Sequence, residues 1–321
     1  MWLDISQGSE EWQQARLHSI GGSSIGDLIS ATKQFSIESV ILSNRPLNGK
    51  TILNQNFSFG HVFEDICRKI SQMVLQSNII EKGMWVTTGE HMHFSPDGIC
   101  DDLNNRAVLC EFKCPVTRKL ATSRHTIPIK YRAQIQHSMN QVPFDYAYYL
   151  ELQISHPQCM KPMKEVPDSY LMRFTYMFYT NALDPDDLVD LDYISRDDFN
   201  KINSNVIPTY LHIHDITTEG WKFINEQQIS LYYTAMPSVQ TTYIYGSNHK
   251  SNVFYNGIIY NAFGSRVDHD HYLSQLILAR MKEYKAVIES YNYNSPSASP
   301  SSNIDSSISD PRSGSLSSFV I

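Results

Sequence analysis

Two neighbouring motifs, Ser95-Pro96-Asp97-Gly98 and Cys110-Glu111-Phe112-Lys113-Cys114-Pro115, set the architecture of this chain. Side chains alternate faces along a strand, so Glu111 and Lys113 project together while Cys110, Phe112 and Cys114 point the other way. The apolar set faces a core and the charged set a cleft. Between the motifs, Asp101-Asp102-Leu103-Asn104-Asn105-Arg106 carries the Asp/Asn signature of a tight turn. With Asn104 near the centre of that hairpin, Asp97 and Glu111 lie opposite each other, because each is seven residues away. Two carboxylates and an ammonium then converge on one face. Such a set can hold Mg²⁺ through hard oxygen ligands and orient a water for attack on phosphorus. A lone Glu-x-Lys is common on exposed hairpins; the apolar flanks and the Pro-Asp-Gly at hairpin distance favour the catalytic reading.

Upstream, Phe59, Val62, Phe63, Ile66, Cys67, Ile70, Met73 and Val74 recur at three- and four-residue intervals and predict an amphipathic helix over 59–76. Glu64 flanks that stripe; by periodicity alone it reads as a solvated helix acid. Downstream, Tyr131, Ile135, Met139 and Val142 predict a helix over 129–142, with Gln134 and Ser138 beside its apolar side. Residues 144–152 and 170–179 are aromatic-rich and strand-like. Helices, a hairpin, then helix and strand again indicate the α/β class, a mixed central sheet flanked by helices. Near the start, Trp12, Ala15 and Arg16 share helical spacing, Gly21-Gly22 breaks the helix, and Ser23 can cap the next one. Such an entry leaves backbone N–H groups suited to an anion, though it serves equally as a plain helix joint.

Composition bounds the alternatives. The 321 residues can bury one large core or two modest ones, and 41% hydrophobic content fits a soluble globular protein. No stretch approaches the roughly 18 apolar residues that span a bilayer, and no secretory signal is visible. Five cysteines (67, 100, 110, 114 and 159) lack paired metal-ligand spacing, which argues for a reducing, intracellular setting. The net charge of −7 is unevenly spread: residues 1–150 hold 14 Lys/Arg and 14 Asp/Glu, residues 151–321 hold 12 and 19. Within the neutral half, Lys113, Arg118, Lys119, Arg124, Lys130 and Arg132 form a basic tract free of acids over 113–132, as a phosphate backbone requires. By contrast, 184–198 contains seven Asp and one Arg and reads as a solvated acidic surface. His91-x-His93, His212-x-His214 and Asp268-His269-Asp270-His271 lack complementary metal ligands; His93 alone is near enough to Asp97 to line the cleft. No phosphate-binding Gly-x-x-x-x-Gly-Lys loop is present, so an ATP motor is not expected.

Taken together, Gln7-Gly8-Ser9-x-x-Trp12-x-x-x-Arg16-Leu17, Ser23, Gly60-x-x-x-Glu64, the two central motifs and Tyr131-x-Ala133-Gln134-Ile135-Gln136-x-Ser138-Met139 resemble the YqaJ-type viral recombinase nucleases. These are the lambda-exonuclease branch of the PD-(D/E)XK superfamily. The resemblance runs in unbroken order over about residues 5–150 and is weak beyond. It implies a restriction-endonuclease-like core and Mg²⁺-dependent degradation of double-stranded DNA from its ends, with Mn²⁺ as a substitute. It further implies that Asp97, Glu111 and the backbone carbonyl of Phe112 ligate the metal, that Glu64 holds a metal or its water, and that Lys113 positions the attacking water. Gln134 and Tyr131 would line the site. Arg16 and Ser23 would bind a terminal 5′-phosphate, and Arg118, Lys119, Arg124, Lys130 and Arg132 the DNA. A homo-trimer and a single-strand annealing partner are implied for the family. The alternatives are an endonuclease or RNA-degrading enzyme on the same core, or an inactive DNA-end-binding protein. The expected division is a nuclease core over 1–180, a C-terminal elaboration over 181–292 packed on it, and a disordered Ser/Pro-rich tail over 293–321.

Overall fold

A hairpin and a crossover build the centre of the molecule. In the computed structural model, residues 1–5, 9–16, 19–30, 60, 63–87, 89, 91–115, 118–154, 170–179, 207–227, 242–244 and 252–293 are described. The N-terminal elements are β1 (Trp2–Leu3), α1 (Glu10–Arg16), β2 (Ile20–Gly21), α2 (Gly22–Ser30) and α3 (Glu64–Leu75). The central ones are β3 (Met84–Thr87), β4 (Met92–Phe94), β5 (Gly98–Asp101), β6 (Ala107–Lys113), α4 (Ile129–Gln141) and β7 (Tyr146–Ile154). Then come β8 (Met172–Tyr179), β9 (Ile207–Ile216), α5 (Thr218–Gln227), β10 (Thr242–Ile244), β11 (Asn252–Val267) and α6 (His271–Tyr293).

Strands β5 and β6 pair antiparallel, Gly98 with Cys110 and Asp101 with Ala107. One further step of that register sets Asp97 opposite Glu111, the alignment expected from the turn at Asn104. The Asp102 carboxylate holds that turn by accepting the N–H groups of Asn104 (2.8 Å) and Arg106 (3.1 Å). Asn105 adopts the left-handed conformation at φ 55°, which Asn tolerates better than most residues. A parallel neighbour cannot follow by a hairpin, so the chain crosses over through α4 and returns as β7, parallel to β6. The large sheet has the order β10-β9-β8-β11-β7-β6-β5, and a second, small sheet the order β1-β3-β4-β2. Both mix parallel and antiparallel pairs, so the protein is mixed α/β with helices flanking the sheets.

The two faces of β6 behave differently. Val108, Cys110, Phe112 and Cys114 pack with Phe63, Ile66, Cys67 and Ile70 at and along α3. Leu109 turns to the opposite face, where Ile135 and Met139 of α4 and Ala147 and Tyr149 of β7 cover it. A third cluster joins Ile20, Ile25 and Leu28 to Ala133 of α4 and to Leu273, Ile277 and Met281 of α6. Of the predicted helix 59–76, α3 covers Glu64–Leu75 and Gln76 ends it in the left-handed conformation at φ 51°, while Phe59 and Val62 lie outside the described residues. Helix α2 starts at Gly22, so Ser23 lies in its first turn rather than capping it.

The border drawn at 180/181 does not separate two bodies. Strand β11, from the far side of that border, is inserted between β7 and β8: Asn252–Ile259 pair with β8, and Ile259–Val267 run along β7. The C-terminal part therefore completes the sheet through β11 as well as packing on α2 and α4 through α6. The acidic stretch 184–198, the tail beyond 293, and Gln7, Gly8, Leu17 and Cys159 lie outside the described residues. Among the described residues no helix is long and apolar enough to cross a membrane.

Candidate active site

Strand β6 delivers Glu111 and Lys113 to one side of the sheet, and the residues before β5 deliver Asp97. Asp97 is fixed from behind, its Oδ2 accepting the Phe112 N–H at 2.7 Å. The Lys113 ammonium lies among the expected metal ligands: it donates to Glu111 Oε1, donates to the Phe112 carbonyl at 2.8 Å, and stands 3.6 Å from Asp97 Oδ2. Glu111 is almost fully buried, with 3% of its side chain exposed, and Lys113 keeps 21%. Burial first, then the like charge of Asp97, pushes the Glu111 carboxyl up to about 8 despite the adjacent ammonium. For Lys113, burial works against the charged form, but the attraction of Glu111 and Asp97 prevails and raises its pKa.

Glu64, in the first turn of α3, reaches the same site through Arg68 one helical turn on. Arg68 donates to Glu64 Oε1 at 3.2 Å and to the Asp97 carbonyl at 3.3 Å, and pairs with Asp65. Tyr176 in turn donates to Asp65 at 3.2 Å. The sequence reading missed Arg68, although its i+4 spacing from Glu64 is a recognisable helical-pair signal.

The donor set suits a hard divalent cation: two carboxylates and a backbone carbonyl are gathered around one positive charge. Among the described residues, however, no three His, Cys, Asp or Glu side chains converge closely enough to hold a metal ion. The reason is visible in the contacts. Lys113 fills the space between the carboxylates, and Arg68 draws Glu64 aside.

The other predicted residues divide into groups. Arg16 lies 4.1 Å over the Trp12 ring, and the Trp12 indole donates to Ser95 at 2.9 Å, tying α1 to the Ser95-Pro96-Asp97 turn. Burial lowers the Arg16 pKa, and among the described residues no carboxylate pairs with it. A half-buried guanidinium with no carboxylate partner among the described residues is a natural anion seat. Ser23 is exposed in the first turn of α2. Gln134 packs against that turn, where a Cβ on Gly22 would lie 3.1 Å from its Cγ, and it hydrogen-bonds neither carboxylate. Tyr131 is flanked by cations, with Lys113 and Arg118 each 5.3 Å and Lys130 4.8 Å from its ring. Lys119, Arg124 and Lys130 are exposed, and Arg132 is half-buried. Arg118 instead makes an ion pair with the fully buried Glu151 at 2.6 Å. His93 does not line the cleft: it is buried, bonded to Ser19 Oγ at 2.7 Å, and pushed down to about 3 by burial and then by the charges of Arg16 and His137.

Residues 11–141, which carry every one of these groups except Glu151 and Tyr176, match the sequence profile of the YqaJ-like viral recombinase domain. Comparison of the whole chain with curated proteins finds no match. Among solved structures, this chain is similar to LHK-Exo in complex with dAMP, at 15% identity and a TM-score of 0.45, over 89% of this chain and 95% of that one. A second structure, an alkaline exonuclease (LHK-Exo) from Laribacter hongkongensis, aligns at 16% identity and a TM-score of 0.43, over 89% and 97% of the two chains. SSO0001 aligns over 46% of this chain and 74% of its own, at 11% identity and a TM-score of 0.23.

Proposed function

We propose that the chain is a Mg²⁺-dependent exonuclease that degrades double-stranded DNA from its ends, in the 5′ to 3′ direction, during recombination and repair. The observation that carries this reading is the convergence of Asp97, Glu111 and the Phe112 carbonyl on the Lys113 ammonium within a YqaJ-like domain. Asp97, Glu111 and the Phe112 carbonyl would hold the ion, with Glu64 as a further ligand or the holder of its water; the same oxygens suit Mn²⁺. Bound there, the ion would lower the pKa of a water and neutralise charge on the scissile phosphate. Lys113, displaced from between the carboxylates, would orient the attacking water and steady the charge that develops on the phosphoryl oxygens. Asp97 keeps its own orientation throughout, because the Phe112 N–H holds its second oxygen.

Arg16 and Ser23 would take the terminal 5′-phosphate, the first with a half-buried guanidinium, the second in the opening turn of a helix. Lys119, Arg124, Lys130 and Arg132, with Tyr131 beside them, would follow the backbone. The test is incubation with linear and with covalently closed circular duplex in Mg²⁺. Loss of the linear form alone, with release of mononucleotides, supports the reading. Cleavage of both forms would make the protein an endonuclease, and two intact substrates would leave an end-binding protein.

A further inference from the structure

Glu151 is a carboxylate that the proposed chemistry does not use, yet it sits beside the residue the chemistry most needs. In the parallel β6–β7 ladder Lys113 is in register with Glu151, as Glu111 is with Tyr149. Register partners of adjacent strands project to the same face and lie about 4.8 Å apart. Glu151 is fully buried and has three donors: Arg118 at 2.6 Å, the Tyr149 hydroxyl, and the Ala121 N–H at 2.7 Å. Lys113 ignores this neighbour and turns to Glu111 and Asp97. Both cations lie over the same Tyr131 ring, each 5.3 Å from its centre.

We infer that Arg118 is a positioning residue: by occupying Glu151 it leaves Lys113 to the catalytic carboxylates and the Phe112 carbonyl. A buried carboxylate stripped of its cation is strongly unfavourable, and the nearest replacement across the ladder is the Lys113 ammonium. Without Arg118 the lysine would be drawn to Glu151 and out of the site. The basic tract thus contains one member whose role is internal. The sequence could not reveal this, because its acidic partner lies in an aromatic strand 33 residues further on.

The inference rests on the nuclease reading, and one set of proteins separates the two. Wild type, Arg118→Met and the double variant Arg118→Met/Glu151→Gln are assayed on 5′-phosphorylated linear duplex in Mg²⁺. The assays run well below each melting temperature, with the folded fraction measured by circular dichroism. The expected result is a fall in kcat of more than ten-fold for Arg118→Met, with KM and its salt dependence held, and a return to within about three-fold of wild type in the double variant. If Arg118 contacts DNA, both variants have the same raised KM and a shallower salt slope, and the inference is wrong. If Arg118 only stabilises the fold, kcat per folded molecule does not change in either variant, which also overturns it. Should Arg118→Met fail to fold, Arg118→Lys takes its place: it keeps the charge and is expected to keep kcat within a few-fold, whereas a loss as deep as that expected of methionine refutes the role. An inert wild type refutes the nuclease reading itself.

Discussion

Glu111 and Asp97 share a space that burial makes too dry for two negative charges, and Lys113 stands beside both. Removing either acid therefore removes a proposed ligand while relieving repulsion on the other, so the fold should survive. Asp97→Ala and Glu111→Ala are each expected to slow cleavage at least about a hundred-fold, with melting temperatures near that of wild type. Near-normal cleavage by either variant would dismiss the assigned site. Arg16 makes a separable prediction. Arg16→Ala should slow digestion of 5′-phosphorylated duplex to the rate of 5′-hydroxyl duplex; equal slowing of both, with lost stability, would mean that Arg16 only props α1 on Trp12. Behind the site, two histidines set a pH dependence. His93 is pushed down to about 3 and His137 to about 4, in each case chiefly by burial. Between pH 6.5 and 4 the unfolded chain binds protons that the folded chain refuses, so stability falls as pH falls through that window and is flat, for these groups, above it. His137 should account for about 3 kcal/mol of that loss. Urea unfolding at pH 7 and pH 4.5 should show His137→Gln with the shallower fall; an unchanged slope counts against the buried neutral form.

Helix packing depends on small residues rather than on charge. Gly22 and Gly26 stand one turn apart on α2 and face Gln134 and Lys130, one turn apart on α4. A Cβ on Gly26 would approach Lys130 Cβ to 2.5 Å and its Cα to 2.7 Å, and the Cα cannot move without the helix. Gly26→Ala should therefore lift α2 off α4 and destabilise by about 1–3 kcal/mol, outweighing the helix propensity that alanine adds. Chemical denaturation reads the shift directly. A stabilised variant would show that the two helices can part without loss. The Gly-Gly in the sequence reads as a helix breaker, and Gly21 does end a strand; Gly22, however, begins a helix and meets its neighbour. Local pattern reports the break, whereas the crossing of α2 over α4 is a tertiary event with no local mark. The β5–β6 hairpin was legible for the opposite reason: turn chemistry at Asp102–Arg106 and strand alternation through Lys113 are both local, and together they fix the register that brings Asp97 to Glu111.

At the scale of the whole molecule, the order of strands differs most from the order of sequence. Strand β11 lies between β7 and β8, which precede it in the chain, and fills the middle of the large sheet. Pairing between Asn252–Val267 and strands that begin at Tyr146 and Met172 is long-range, and the mixed polar and aromatic run Asn252-Val253-Phe254-Tyr255-Asn256 does not advertise it. The C-terminal third is thus part of what keeps β7 in place, and β7 supplies Glu151 and Tyr149 beside the site. The last helix adds to this: Leu273, Ile277 and Met281 pack with Ala133 of α4, and Gln136 of α4 accepts the Asp270 N–H at 2.9 Å where α6 begins. Two truncations divide these regions. A chain ending at residue 293 loses only the Ser/Pro-rich tail, whose composition cannot bury a core, and should keep wild-type melting temperature and specific activity. A chain ending at residue 250 loses β11 and α6, leaves β7 and β8 with unpaired edges, and uncovers the α2–α4 cluster. It should fail to unfold cooperatively and should digest no DNA, although it retains all of residues 11–141. If that shorter chain instead melts as one transition and remains active, the YqaJ-like segment folds without its C-terminal strand, and the sheet order does not govern the site.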